Sequence, residues 1–182
     1  MYNIFIIIQY AEQSLAKETG MEVVIIRPPL AYGPGVKGNF ISMVKWMAKP
    51  VPLPFGSIYN KRSFIALDNL VNFISLCIDR ESSSKAVNQI FLISDDKDVS
   101  TTQLLEMVGD ALRSRSPSSP RAWLFPFPSY IMTFFARALG KHDIANRLFG
   151  SLQIDSSKAR NLLGWTPIIN MDEQLTKMLK DT

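Results

Sequence analysis

One cysteine and one histidine are all that the 182 residues hold of either type, and the two scarcities exclude several kinds of chemistry. Cys77 alone cannot close a disulfide within the chain or build a thiolate metal cage, and it fits a reducing compartment. His142 alone cannot supply a histidine-based metal site, and no nucleophile motif accompanies it as a serine–histidine triad would require. No metal ligands and no catalytic residue are therefore assigned. Long apolar runs are scarce as well. Residues 4–8 lack the basic leader and small-residue cleavage site of a signal peptide. They also fall far short of the roughly 20 apolar residues that span a bilayer. Residues 122–139 are interrupted by Pro126, Pro128 and Arg137, so a buried or lid-like helix is expected there. Concentrated charge is missing too. A net charge of +4 suits an anionic small ligand but not the basic stripe of a nucleic-acid binder. The expectation is a cytoplasmic protein whose partner is neither nucleic acid nor membrane.

What is present describes one globular domain, with 47% hydrophobic and 20% charged residues, enough for a real core. Residues 9–19 read as a helix ended by Gly20. Residues 21–26 are a β-branched apolar run of the kind buried on both faces of a parallel sheet. Residues 28–38, rich in proline and glycine, read as a loop, and a helix follows with Ile41, Val44, Met47 and Ala48 on its apolar side. Residues 51–55 and 62–66 read as short strands. Asp68 is expected to cap a helix whose apolar face includes Phe73 and Cys77, which assigns Cys77 to the core. Residues 89–94 form another apolar strand. Ser100 and Gln103 fit a capping box for a helix burying Leu104, Leu105 and Val108. Residues 113–121 carry four serines and two prolines among basic residues and predict a loop. Asp155 and the pair Asn170 and Glu173 mark the starts of the last two helices. Strands alternating with helices predict an α/β fold.

Five segments, in order, carry a resemblance to a known family. Arg27-Pro28-Pro29-Leu30-Ala31-Tyr32-Gly33-Pro34-Gly35 resembles the Arg-Pro-x-x-Val-Tyr-Gly-Pro-Gly signature of extended short-chain dehydrogenases that modify nucleotide sugars. Gly38-Asn39-Phe40 is similar to the start of that family's helix at the nucleotide diphosphate. Pro52-Leu53-Pro54-Phe55-Gly56 resembles its strand along the base, and the segment from Lys61 to Leu70 resembles its Arg-x-x-x-x-Val-x-Asp-x-Ala/Val stretch. The segment from Asp155 to Pro167 matches its closing Asp-x-Ser-Lys-x-x-x-x-Leu-Gly-Trp-x-Pro motif. The resemblance covers nearly the whole chain and is nearest to UDP-hexose 4-epimerases, while dehydratases and reductases share most of the marks.

The resemblance implies the end of a Rossmann-type parallel sheet joined to a small α/β substrate lobe. Residues 1–33 would be a remnant of the NAD-binding domain and residues 34–182 mainly the substrate domain, with the strand at 89–94 returning to the Rossmann sheet. It implies NAD as cofactor, a UDP-sugar as partner, a homodimer in the full-length family, and a place in polysaccharide biosynthesis. By the same resemblance Arg62 meets the diphosphate, and Arg147 is a second candidate for it. Asn39 either bonds a phosphate or sugar oxygen or caps its helix; Phe55 either packs on the uracil or fills the core. Pro28 and Tyr32 border the nicotinamide end or serve as turn residues. Two departures stand out. The family binds NAD through an early Gly-x-x-Gly-x-x-Gly turn, and neither it nor a Gly-x-Gly-x-x-Gly variant is read after any strand of this chain, so the NAD motif is expected to be missing. The register also puts Ile4 and Ile8 where the family has its Tyr-x-x-x-Lys pair. The chain alone is therefore expected to be inactive. It reads as the substrate-binding portion of an NAD-dependent nucleotide-sugar epimerase; a non-catalytic UDP-sugar-binding remnant, or a dehydratase or reductase fragment, is the alternative.

Overall fold

Three pairs of parallel strands organise the chain. The computed structural model describes residues 22–36, 39–79, 84–117, 122–128, 130–132, 134 and 148–180. Strand β1 (Ile25–Arg27) pairs with β5 (Ile90–Leu92), β2 (Leu30–Tyr32) with β4 (Phe64–Ala66), and β3 (Pro52–Leu53) with β6 (Trp123–Leu124). Helices α1 (Asn39–Met47), α2 (Leu67–Ile78), α3 (Thr101–Arg115), α4 (Ser157–Leu163) and α5 (Met171–Lys180) pack around them. This is the α/β architecture that the alternation predicts.

β4 divides two cores. Successive strand residues point to opposite faces, so Phe64 and Ala66 enter one apolar cluster while Ile65 enters the other. The first cluster joins Tyr32 and Phe40 to the inner faces of α1, α3 and α5, with Val44, Leu104, Val108 and Leu175. In the second, Phe73 makes edge-on ring contacts with Phe91 and Trp165 at 5.3 and 5.2 Å. Cys77 is buried there, as the helical spacing predicts, and burial raises its pKa.

The caps follow local chemistry. Ser100 Oγ accepts from the Gln103 amide while Gln103 Oε1 accepts from the Ser100 amide, a complete capping box. Asn170 and Glu173 make the same reciprocal pair at α5. α4 ends at Gly164, whose φ of 67° is left-handed and whose amide returns to the Arg160 carbonyl.

Elsewhere the structure corrects the sequence reading. Residues 28–38 are not all loop, because Leu30–Tyr32 forms β2. β6 lies where no strand was expected, and α3 continues to Arg115, into the expected loop. Asp68 does not cap α2. Ala66 holds the cap position without a side-chain bond, and Asp68 sits in the first turn, paired with Lys177 at 2.5 Å. Asp155 accepts from the Ser157 amide at 2.9 Å, but Ser156 holds the cap position of α4. β1 is half-buried rather than covered on both faces. The helix expected at 9–19 lies outside the described residues, as do Ile4, Ile8 and Arg147.

Candidate functional site

Arg62 sits where three stretches of backbone are tied together. Its amide donates to the Val99 carbonyl at 3.1 Å, and the Val99 amide returns the bond at 3.0 Å. On the other side the Leu152 amide bonds the Lys61 carbonyl and the Ser63 amide bonds the Leu152 carbonyl, both at 2.8 Å. The guanidinium is half-buried, and its Nη1 donates to the Gly150 carbonyl at 3.4 Å. Burial lowers its pKa, because a cation loses hydration there. A desolvated guanidinium presents a planar fork of donors and attracts an anion more strongly than one in bulk water.

Asn60 fastens the same region. Its Nδ2 donates to the Leu148 and Gly150 carbonyls at 3.2 and 3.0 Å, and its Oδ1 accepts from the Thr101 amide at 2.8 Å. Thr101 Oγ1 also bonds the Leu148 carbonyl. The residue that follows Arg147 is thereby held beside the Arg62 segment. Phe55 lies close by in the chain, half-buried against the first core, with its carbonyl accepting from Thr102 Oγ1 at 2.6 Å.

The second part of the site lies at the carboxyl ends of the parallel strands, where ligands of open α/β sheets bind. Pro28, just past β1, is exposed. Tyr32, the last residue of β2, has no exposed surface and lies between Phe40 and Phe64. Its hydroxyl donates to Asp95, which also accepts from the Ala66 amide at 2.9 Å and from Asn69 Nδ2 at 2.7 Å. Burial raises the pKa of Asp95, although these three donors oppose the shift. Burial likewise raises that of Tyr32, with the Asp95 charge adding to it.

β2 runs into Gly33-Pro34-Gly35 and then α1, which opens at Asn39. In sequence Gly33-x-Gly35-x-x-Gly38 thus lies between a strand and a helix, contrary to the expectation that no such motif follows a strand, and the described part of it, Gly33 to Val36, is a turn. At Gly35 (φ 74°) an added Cβ would meet nothing within 4 Å, so the turn is open at its second glycine. Such a turn offers backbone N–H groups and a helix amino terminus to a phosphate. A dinucleotide fingerprint also needs an acidic residue about 20 positions on for the ribose. The chain has no acidic residue between Glu22 and Asp68, so the turn suits a diphosphate and lacks the ribose partner of NAD.

Asn60, Thr101, Asn69 and Asp95 escaped the sequence reading. The one legible signal was an acidic residue just past the end of an apolar strand, which Asp95 satisfies.

The parallel strands and flanking helices define a Rossmann-type α/β protein. Structures of this class superpose over almost the whole chain. The UDP-glucose 4-epimerase of Thermotoga maritima, solved with UDP-glucose, gives a TM-score of 0.61 at 18% identity over 93% of the chain and 48% of its own length. The UDP-glucuronic acid 4-epimerase of Bacillus cereus, solved with UDP-glucuronic acid and NAD, gives 0.65 at 17% identity over 95% and 49%. No protein-family model matches. The UDP-glucose 4-epimerase of Vibrio cholerae is 45% identical over 161 residues, which is 88% of the chain and 46% of that relative. The chain belongs to the epimerase/dehydratase family of extended short-chain dehydrogenases, and it spans about half the length of the curated relatives it matches.

Proposed function

We propose that the chain is the nucleotide-sugar-binding portion of an NAD-dependent UDP-hexose 4-epimerase-like enzyme that works through a keto-sugar. The observation that carries this reading is the half-buried guanidinium of Arg62, whose main chain is held by backbone bonds on both sides, in a chain 45% identical to a UDP-glucose 4-epimerase. Arg62 takes the diphosphate, with Arg147 as a second cation from the segment that Asn60 fastens. The glycine turn and α1 amino terminus at Asn39 supply backbone donors to the same phosphates. Phe55 lines the base, Pro28 borders the cofactor end, and Tyr32 acts from the core by fixing the end of β2.

NAD, when bound in a complete site, would supply the hydride transfer. The described residues offer it an exposed edge without the ribose-binding carboxylate, so no step through it is derived from them.

Calorimetric titration of the chain with UDP, UMP and uridine tests the reading. The expected order is UDP tightest and uridine weakest, since the recognition proposed here is of a diphosphate. Equal affinities for uridine and UDP, or no UDP binding, would overturn it.

A further inference from the structure

The sequence has no acidic residue between Glu22 and Asp68, and again none between Asp110 and Asp143. The fold joins these two acid-free segments. β3 pairs with β6, and the Ala122 amide donates to the Met47 carbonyl at 2.8 Å. Along that seam alternate side chains face opposite ways. Leu53 is buried in the first core and Leu124 packs against it, while Trp123, on the other side, is 69% exposed. At the end of α1, Trp46 is 53% exposed, and Lys49 Nζ stands 4.8 Å from its ring centre. Lys45 is exposed next to it, and α3, which packs against α1, ends in exposed Arg113 and Arg115.

Apart from Asp110, exposed one turn before Arg113 on α3, the patch sets exposed indoles among lysines and arginines, which matches the chemistry of a bilayer interface. The rings settle at headgroup level and the cations meet anionic phosphates. We propose that this surface, made of the end of α1, the β3–β6 seam and the end of α3, docks on an anionic lipid bilayer. The contact is peripheral, because no helix among the described residues is long and apolar enough to cross a membrane. It replaces the expectation of no membrane partner, which rested on the lack of a spanning segment; interfacial docking requires none. A polyanion such as a nucleic acid would meet the same cations, but the net charge of +4 is modest for one. The surface lies at the opposite end of α1 from Asn39, about 13 Å away for a nine-residue helix.

The test is cosedimentation of the chain with phosphatidylcholine vesicles containing phosphatidylglycerol, against pure phosphatidylcholine vesicles. Binding is expected to the anionic vesicles alone and to be lost in high salt. The double change Lys45→Ala and Lys49→Ala, at exposed positions, is expected to weaken it by about 30-fold. Brominated lipid is expected to quench tryptophan emission in the bound chain, and less in Trp123→Ser. Equal sedimentation with neutral vesicles, unchanged binding of the double variant, or capture by poly(A) without capture by vesicles would each overturn the proposal.

Discussion

Tyr32 and Asp95 stand 63 residues apart in sequence and meet at 2.7 Å, the phenol donating to the carboxylate Oδ2. The bond ties the end of β2 to the residues following β5. Asn69, fully buried, extends it by donating to Asp95 and to the Ile169 carbonyl while accepting from the Ile168 and Ile169 amides. One carboxylate thus links the β1–β5 and β2–β4 pairs to the approach of α5.

Removing the phenol hydroxyl isolates that bond. Tyr32→Phe keeps the ring in its place between Phe40 and Phe64, and Asp95 keeps its other donors. A hydrogen bond to a charged group contributes about 1.5–3 kcal/mol. The variant is expected to lose stability in that range, measured by urea denaturation at neutral pH. An unchanged midpoint would mean that the carboxylate is satisfied without it.

Asp95 also sets a pH dependence. Its folded pKa lies above the ordinary 3.8, chiefly because burial penalises the charged form. An acid raised in this way contributes stability that is complete below its unfolded pKa and is lost as pH rises through the folded one. The wild type is therefore expected to gain stability on acidification toward that window, relative to Asp95→Asn, which has no proton to bind. Paired denaturation curves at neutral and mildly acidic pH measure the difference. Parallel behaviour of the two proteins would remove Asp95 as the cause.

Local rules made the capping boxes at Ser100 and Asn170 legible, because donor and acceptor lie three residues apart. The same locality made the α/β class and the apolar faces readable. β2 was missed because its three residues lie between Pro28-Pro29 and Gly33-Pro34, whose punctuation reads as loop. β6 has two residues and depends on pairing with β3. Asp68 was misplaced as a cap because nothing in its neighbourhood reveals that the Ala66 amide is already taken by Asp95. Arg62, Phe55 and Asn39 came from family resemblance. Asn60 and Asp95 act through partners 26 to 90 residues away, a distance at which neither periodicity nor motif carries information.

Gly33 combines two restraints. Its φ is 150°, and an added Cβ would lie 2.6 Å from Gln174 Nε2 and 2.8 Å from Leu67 Cβ. Gln174 is fully buried, and Leu67 Cβ is fixed to the first residue of α2, so that side of the contact cannot yield cheaply. Gly33→Ala is expected to cost on the order of 1–3 kcal/mol, read as a lowered melting temperature. Gly35→Ala, at φ 74° in open space, carries the backbone penalty without the clash and is expected to cost less. Equal losses would show that packing at Gly33 contributes little.

The last prediction concerns Arg62, whose proposed role separates charge from shape. Alanine removes both, and the loss of a charge-assisted bond to phosphate is expected to weaken UDP binding by about 1.5–3 kcal/mol. Lysine restores the charge but not the planar fork, so it should recover only part of the affinity. The backbone bonds that hold position 62 to Val99 and Leu152 do not involve the side chain, so both variants are expected to keep the fold. The long side-chain bond to the Gly150 carbonyl is among what is lost, which an unfolding control can register separately from binding. Calorimetry with UDP and with UMP completes the comparison. If Arg62 meets the diphosphate, the substitutions should narrow the difference between the two ligands. Parallel weakening of both by the same factor would place Arg62 on a group that UDP and UMP share, the α-phosphate, the ribose or the base. Unchanged binding of UDP by Arg62→Ala would remove it from the site altogether.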